Sequence, residues 1–155
     1  VCILIIWQKT IFMTLYIFTD GASLGNPGPM GIGIVIKKNG SVLKEISEYI
    51  GEGTNNIAEY TAVIRALEYA KKSGESEVHL RSDSQLIVRQ LNGDYKTKDP
   101  KLKPLKRKID LLLKDMNVIF EHIPREQNKE ADELSKKGAQ IGAKKKPKTT
   151  QKKLI

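Results

Sequence analysis

An Asn-Gly pair at positions 39 and 40 separates "GIGIVIK" (Gly31–Lys37) from a second extended stretch, Val42–Ile50. Between two strand-like runs such a pair signals a tight hairpin, because these residues tolerate the positive φ angles that two-residue turns require. Upstream, the short apolar run Leu15–Thr19 stops at Asp20, before a stretch rich in Gly and Pro, and has the character of a buried strand. The chain therefore opens as a three-strand meander. In the third strand Val42, Lys44, Ile46 and Glu48 share one face, and Leu43, Glu45, Ser47 and Tyr49 the other. Neither face is cleanly apolar, as expected near a sheet edge.

Thr54-Asn55-Asn56 then supplies N-cap residue types for a helix from about Ile57 to Lys72, which Gly74 ends. Val78–Ser82 is a fourth strand running into Asp83, and "SQLIVRQLN" is a short helix stopped at Asn92-Gly93. Pro100 and Pro104 bracket the entry to a helix carried by Leu105, Ile109, Leu112 and Leu113; Asn117–Ile123 is a fifth strand, and a last helix covers about Gln127–Ala139. The order β-β-β-α-β-α-α-β-α predicts an α/β (mixed α+β) domain, a mixed sheet with helices packed on it.

At 155 residues the chain is the size of one domain. The lone Cys2 excludes a disulfide framework and fits a reducing cytoplasm, while His79 and His122 are too scattered for a histidine metal centre. "VCILIIW" at the N-terminus is far shorter than the ~20 residues of a membrane span and lacks the flanks of a signal peptide. No membrane association is expected, and residues 1–12 read as an upstream extension ahead of Met13. The net charge of +9 is uneven: residues 144–155 carry six lysines and no acid, and residues 96–108 carry seven basic residues and one acid. Two basic patches on a mildly acidic body suit either a polyanionic partner or simple solvated lysine-rich segments. Residues 143–155 are expected to be a disordered tail.

Four acids stand out: Asp20 after the first strand, Glu59 in the first turn of its helix, Asp83 after the fourth strand, and Asp132 about one turn into the last helix. Singly, each has an ordinary explanation. Asp20 suits an Asx turn, Glu59 a helix dipole, Asp83 an N-cap and Asp132 a solvated helix face. Jointly they suggest more. If the first and fourth strands are parallel neighbours, Asp20 and Asp83 emerge side by side at the carboxyl edge of the sheet, where open sheets bind ligands. Crowded carboxylates need cations, and such hard oxygen donors suit Mg²⁺ or Mn²⁺. Two such ions would activate water and stabilise a leaving oxygen in phosphodiester displacement.

"TDGASLGNPG", "TNNIAEY", "SDSQLIVRQLNG" and "NKEADELS" together resemble, in order and spacing, the four motifs of type 1 ribonuclease H, on its shorter, archaeal-like or reverse-transcriptase-like branch. The resemblance covers about residues 14–140. It implies a ribonuclease H-like fold with a five-stranded mixed sheet and helices on both faces, and makes residues 13–142 the catalytic domain. It further implies a monomeric endonuclease that cleaves the RNA strand of RNA–DNA hybrids with two Mg²⁺ ions, for which Mn²⁺ substitutes, leaving 3′-hydroxyl and 5′-phosphate ends. Asp20, Glu59, Asp83 and Asp132 would hold the metals, Asp20 bridging both. Asn26, Asn55, Asn56, Ser84 and Gln85 would contact the hybrid, with Gly21 leaving room for its backbone. Thr54 and Lys37 match positions that hold a DNA-strand phosphate. A double-stranded RNA nuclease and a non-catalytic nucleic-acid binder are the alternative readings.

The sequence departs from the bacterial pattern in two places. "EHIPREQNKEAD" is too short for the histidine-bearing loop of those members. His122 falls too early to replace that histidine and is expected to be structural, leaving Arg125 or Glu126 as substitutes. The basic handle lacks tryptophan but keeps Lys96, Lys98, Lys101 and Lys103, which would line the phosphates of the hybrid.

Overall fold

The computed structural model describes residues 14–75 and 77–145; the N-terminal stretch 1–12 and most of the lysine-rich tail lie outside the described residues. The elements are β1 (Thr14–Ser23), β2 (Gly28–Lys38), β3 (Ser41–Gly53), α1 (Asn55–Ser73), β4 (Glu77–Ser82), α2 (Gln85–Leu91), α3 (Lys103–Leu113), β5 (Val118–His122) and α4 (Lys129–Lys145), with a single 3₁₀ turn at Arg125–Gln127 before α4. The order is the one expected. Helix α4 runs three residues past the boundary placed at 142, so 143–145 are helical rather than part of a disordered tail.

One five-stranded sheet has the order β3-β2-β1-β4-β5. The meander β1-β2-β3 is antiparallel, while β1–β4 and β4–β5 are parallel. Asn39 and Gly40, at φ 52° and 77°, make the β2–β3 turn as their residue types require. Strand β3 is an edge strand, which explains its mixed faces and the half-exposed Val42 and Leu43.

Successive strand residues point to opposite faces, so β2 serves two partners at once. Ile32, Ile34 and Ile36 point into a core with Leu15, Ile17, Leu80 and the α1 residues Tyr60, Val63 and Leu67. Full burial of each such side chain contributes about 1.5–3 kcal/mol. Gly31 and Gly33 face the other way, where a Cβ on either would collide with the α4 backbone at 2.0–2.2 Å. Helix α4 therefore lies directly on the β2 backbone, and α1, backed by α3, covers the opposite face. Among the described residues, no helix is long and apolar enough to cross a membrane.

Helix α1 begins at Thr54, whose hydroxyl accepts a hydrogen bond from the Ile57 amide, and ends at Gly74 in the left-handed conformation. Tyr60 donates its hydroxyl proton to Gln90 of α2 at 2.7 Å and lies 3.1 Å from the Thr97 hydroxyl. This buried contact ties α1 to the lysine-bearing segment between α2 and α3.

Candidate active site

Asp20 lies inside β1 rather than after it, paired with Gly33 of β2. The strand continues to Ser23 because β2 keeps pairing through Met30, so only Leu24–Pro27 remain as a turn. Paired residues share a face, and the bare Gly33 backbone lets α4 settle beside the Asp20 carboxylate. There the Ser135 hydroxyl donates to Asp20 Oδ2 at 2.5 Å.

Gly21 faces the other side. Its missing Cβ would sit 2.2 Å from the Glu59 amide nitrogen and 2.3 Å from the Ala58 carbonyl carbon. The room expected for a substrate backbone is filled by α1, and that close approach places Glu59 beside Asp20. Glu59 itself is in the second turn of α1, since the helix starts at Asn55 rather than Ile57.

Asp83 reaches the same point through parallel pairing. Phe18 lies opposite Arg81, so both chains arrive two residues later at an acid. Ser84, not Asp83, caps α2, leaving the Asp83 carboxylate free for other partners.

Oxygens of Asp20, Glu59 and Asp83 lie within 4.8 Å of one another. They line a cleft of about 440 Å³ together with Asn55, Ser84, Arg125, Asp132 and Lys136. Asp132, fourth residue of α4, borders the cleft with its carboxylate bonded to Lys136 at 2.8 Å. Burial pushes the Asp20 carboxyl up to about 7; the Asp83 and Asp132 charges add to the rise, against the Ser135 hydrogen bond and Arg125. Glu59 is raised to about 8 by burial and by Asp20, opposed by a hydrogen bond from Ser84. Buried acids that resist ionisation side by side form a donor set suited to a hard divalent cation, which removes the repulsion.

The remaining expected residues divide. Asn26 and Asn55 form a latch: the Asn55 amide donates to Asn26 Oδ1, and Asn55 Oδ1 accepts from the Ser23 amide at 3.0 Å. Asn56 and Gln85 are exposed at the starts of α1 and α2. The Ser84 hydroxyl accepts from the Ile87 amide and bonds to Glu59, and the residue lines the cleft. Thr54 and Lys37 cannot share one phosphate. Thr54 follows the Gly28–Gly53 end of the β2–β3 ladder, whereas Lys37 pairs with Val42 near its other end, about 30 Å away at strand rise. Lys37 instead pairs with Glu130 at 3.6 Å and lies over the Phe18 ring.

Of the two candidate substitutes, Arg125 reaches the acids and Glu126 does not. The Arg125 Nε is 3.6 Å from Asp83 Oδ2, whereas Glu126 lines a separate groove with Phe18 and Lys37. His122 is the last residue of β5, exposed, with Nε2 3.3 Å from the Asp83 carbonyl oxygen. Sequence reasoning missed Asn128, Ser135 and Lys136. Asn128 Nδ2 donates to the Thr19 carbonyl at 3.0 Å and to Asp83 Oδ1 at 3.4 Å, joining the start of α4 to β1 and β4. The signal was present: 128, 132 and 135 fall on one helical face, and 132 and 136 are spaced for an ion pair.

Known proteins carry the same pattern. A family model described as reverse transcriptase-like matches residues 18–138. The ribonuclease HI of Halobacterium salinarum is 41% identical over 123 residues, which take in 78% of this chain and 62% of that protein. The ribonuclease H of Actinobacillus pleuropneumoniae is 36% identical over 140 residues, 79% of this chain and 88% of that one. The chain belongs to the type 1 ribonuclease H family. Among solved type 1 ribonucleases H, LC11-RNase H1, isolated from compost, superimposes in its complex with RNA/DNA hybrid with a TM-score of 0.79 and 48% identity; the match covers 83% of this chain and 99% of that one. The chain spans less than two thirds of the halobacterial relative's length. Within the family, the three converging acids of this chain are the residues fitted to a divalent cation.

Proposed function

We propose that this chain is an endoribonuclease that hydrolyses the RNA strand of RNA–DNA hybrids, leaving 3′-hydroxyl and 5′-phosphate ends. One observation carries the reading: three carboxylates from three separate elements converge within 4.8 Å at the carboxyl edge of the sheet. Asp20, Glu59 and Asp83 would hold Mg²⁺, with Mn²⁺ as substitute, and Asp132, ion-paired with Lys136 at the border of the same cleft, would join them. Bound there, such ions supply an activated water and neutralise charge at the leaving oxygen.

The chain's own residues do the rest. Asn26, Asn55, Asn56 and Gln85 sit at or beside the cleft, where amide side chains distinguish a 2′-hydroxyl from a deoxyribose in the minor groove. Lys96, Lys98, Lys101 and Lys103, all exposed, follow the phosphates. Arg125 offsets negative charge over Asp83 as the scissile phosphate arrives. The hybrid-bound relative supports hybrid as the substrate.

The test is cleavage of labelled RNA–DNA, RNA–RNA and DNA–DNA duplexes with Mg²⁺ or Mn²⁺, using the wild type and Asp20→Asn. The expected result is cutting of the hybrid's RNA strand by the wild type and its loss in the variant. Hybrid left intact, or cut equally by both proteins, overturns the proposal. Cutting of RNA–RNA in preference to hybrid overturns the substrate assignment.

A further inference from the structure

We propose that Ser135 is a positioning residue that fixes the orientation of the Asp20 carboxylate and so sets the site's affinity for its cation. Ser135 is fully buried, and its Oγ lies 2.5 Å from Asp20 Oδ2 and 2.8 Å from the Asp132 carbonyl oxygen. A hydroxyl has one proton to give, and an ionised carboxylate is the stronger acceptor. The proton therefore goes to Asp20. The Asp132 carbonyl, one turn back in the same helix, is the local partner serine hydroxyls use in helices. One side chain thus sits between two elements that carry acids of the site, β1 and α4.

The reason this matters lies in the torsions of aspartate. Rotation about χ2 is broad and roughly two-fold, so an unheld carboxylate presents its oxygens in many directions. In Asp20 one oxygen is held, and the holder is itself immobile. Gly33 and Gly31 press the β2 backbone against Ser135: a Cβ on Gly33 would lie 2.6 Å from the Ser135 amide nitrogen, and one on Gly31 would lie 2.1 Å from its carbonyl oxygen. With no solvent access at Ser135, water does not compete for the bond. Groups that orient a ligand from behind typically change metal affinity or activity by about 10–100-fold when removed.

This inference rests on the cation-binding reading of the site, and the experiment separates the two. Mn²⁺ binding is titrated calorimetrically for the wild type, Ser135→Ala and Ser135→Thr, alongside urea unfolding of each in EDTA. The expected result is Mn²⁺ affinity reduced about tenfold or more in Ser135→Ala and restored at least in part by Ser135→Thr, which keeps the hydroxyl. Alanine is the better helix former but leaves Asp20 Oδ2 without its buried donor, so unfolding in EDTA measures any loss of stability in Ser135→Ala separately from the loss of affinity. A packing role alone would move stability and leave affinity unchanged. Wild type that binds Mn²⁺ together with a Ser135→Ala variant that binds it equally well overturns the inference. Wild type that fails to bind overturns the cation-binding reading itself.

Discussion

Asp20→Asn should stabilise the metal-free protein at alkaline pH while disabling it. The Asp20 carboxyl titrates at about 7 in the folded chain against an ordinary 3.8, and Glu59 at about 8 against 4.5. Both folded values are raised, so the native state keeps protons that the unfolded chain releases. The stability these groups contribute is complete below the unfolded values and is lost as pH rises through about 7 and 8. At about 1.4 kcal/mol per pKa unit, Asp20 alone removes roughly 3–4 kcal/mol between about pH 4 and pH 8. Asparagine has the same shape, accepts the Ser135 hydrogen bond through its amide oxygen and does not titrate. It also removes the Asp20 charge that helps raise Glu59. Urea unfolding followed by circular dichroism, in EDTA at pH 4, 6 and 8, should show the stability gap widening by about 3 kcal/mol in favour of the variant. Adding Mn²⁺ at pH 8 should close it, because only the wild type gains from binding a ligand in its native state. A gap that stays constant with pH, or a variant less stable than wild type at pH 8 in EDTA, would refute the claim that burial and mutual repulsion dominate this site.

Two further outcomes follow from the packing and the charge distribution. Gly33→Ala places a methyl 2.0 Å from the Ala131 carbonyl oxygen; α4 must lift, costing about 1–3 kcal/mol in urea unfolding and lowering hybrid cleavage as Ser135 and Asp132 retreat from Asp20. Replacing Lys96, Lys98 and Lys101 together by alanine should make the salt dependence of hybrid binding shallower by up to about 0.9 in log–log slope per lost phosphate contact, measured by fluorescence anisotropy; an unchanged slope removes these lysines from the interface.

Much of the fold was legible because its signals are local. Asn39-Gly40, the caps at Thr54 and Gly74, and the acids next to strand and helix starts each depend on a few neighbouring residues. Partner-dependent features were not. Asp20 looked like a residue beyond a strand because Gly21, Gly25 and Gly28 resemble loop; β2 pairing extends β1 to Ser23 regardless. Gly21 looked like room for a ligand, since nothing local says which neighbour fills the missing side chain. In the fold it is α1. A motif gives residue types without distances, so nothing local shows that the β2–β3 ladder sets Thr54 and Lys37 far apart. Ser135 carries no charge and is unremarkable in sequence; only the α4–β2 contact reveals that its hydroxyl faces an acid.

The site stands where helices on both faces of the sheet touch its backbone. Along β1, Asp20 pairs with Gly33, and the next residue, Gly21, pairs with Ile32. Missing side chains on alternate faces let α4 approach from one side and α1 from the other within a single step of the strand. The same contacts that bring Ser135, Asp132 and Glu59 to Asp20 also strip water from it, and desolvation is the largest cause of its raised pKa. Assembly of the acids and their appetite for a cation therefore have one origin. A larger residue at position 21, 31 or 33 does not simply loosen a helix. It rehydrates Asp20, lowers the cost of its charge, and weakens the drive to bind the ion that the site is built to hold.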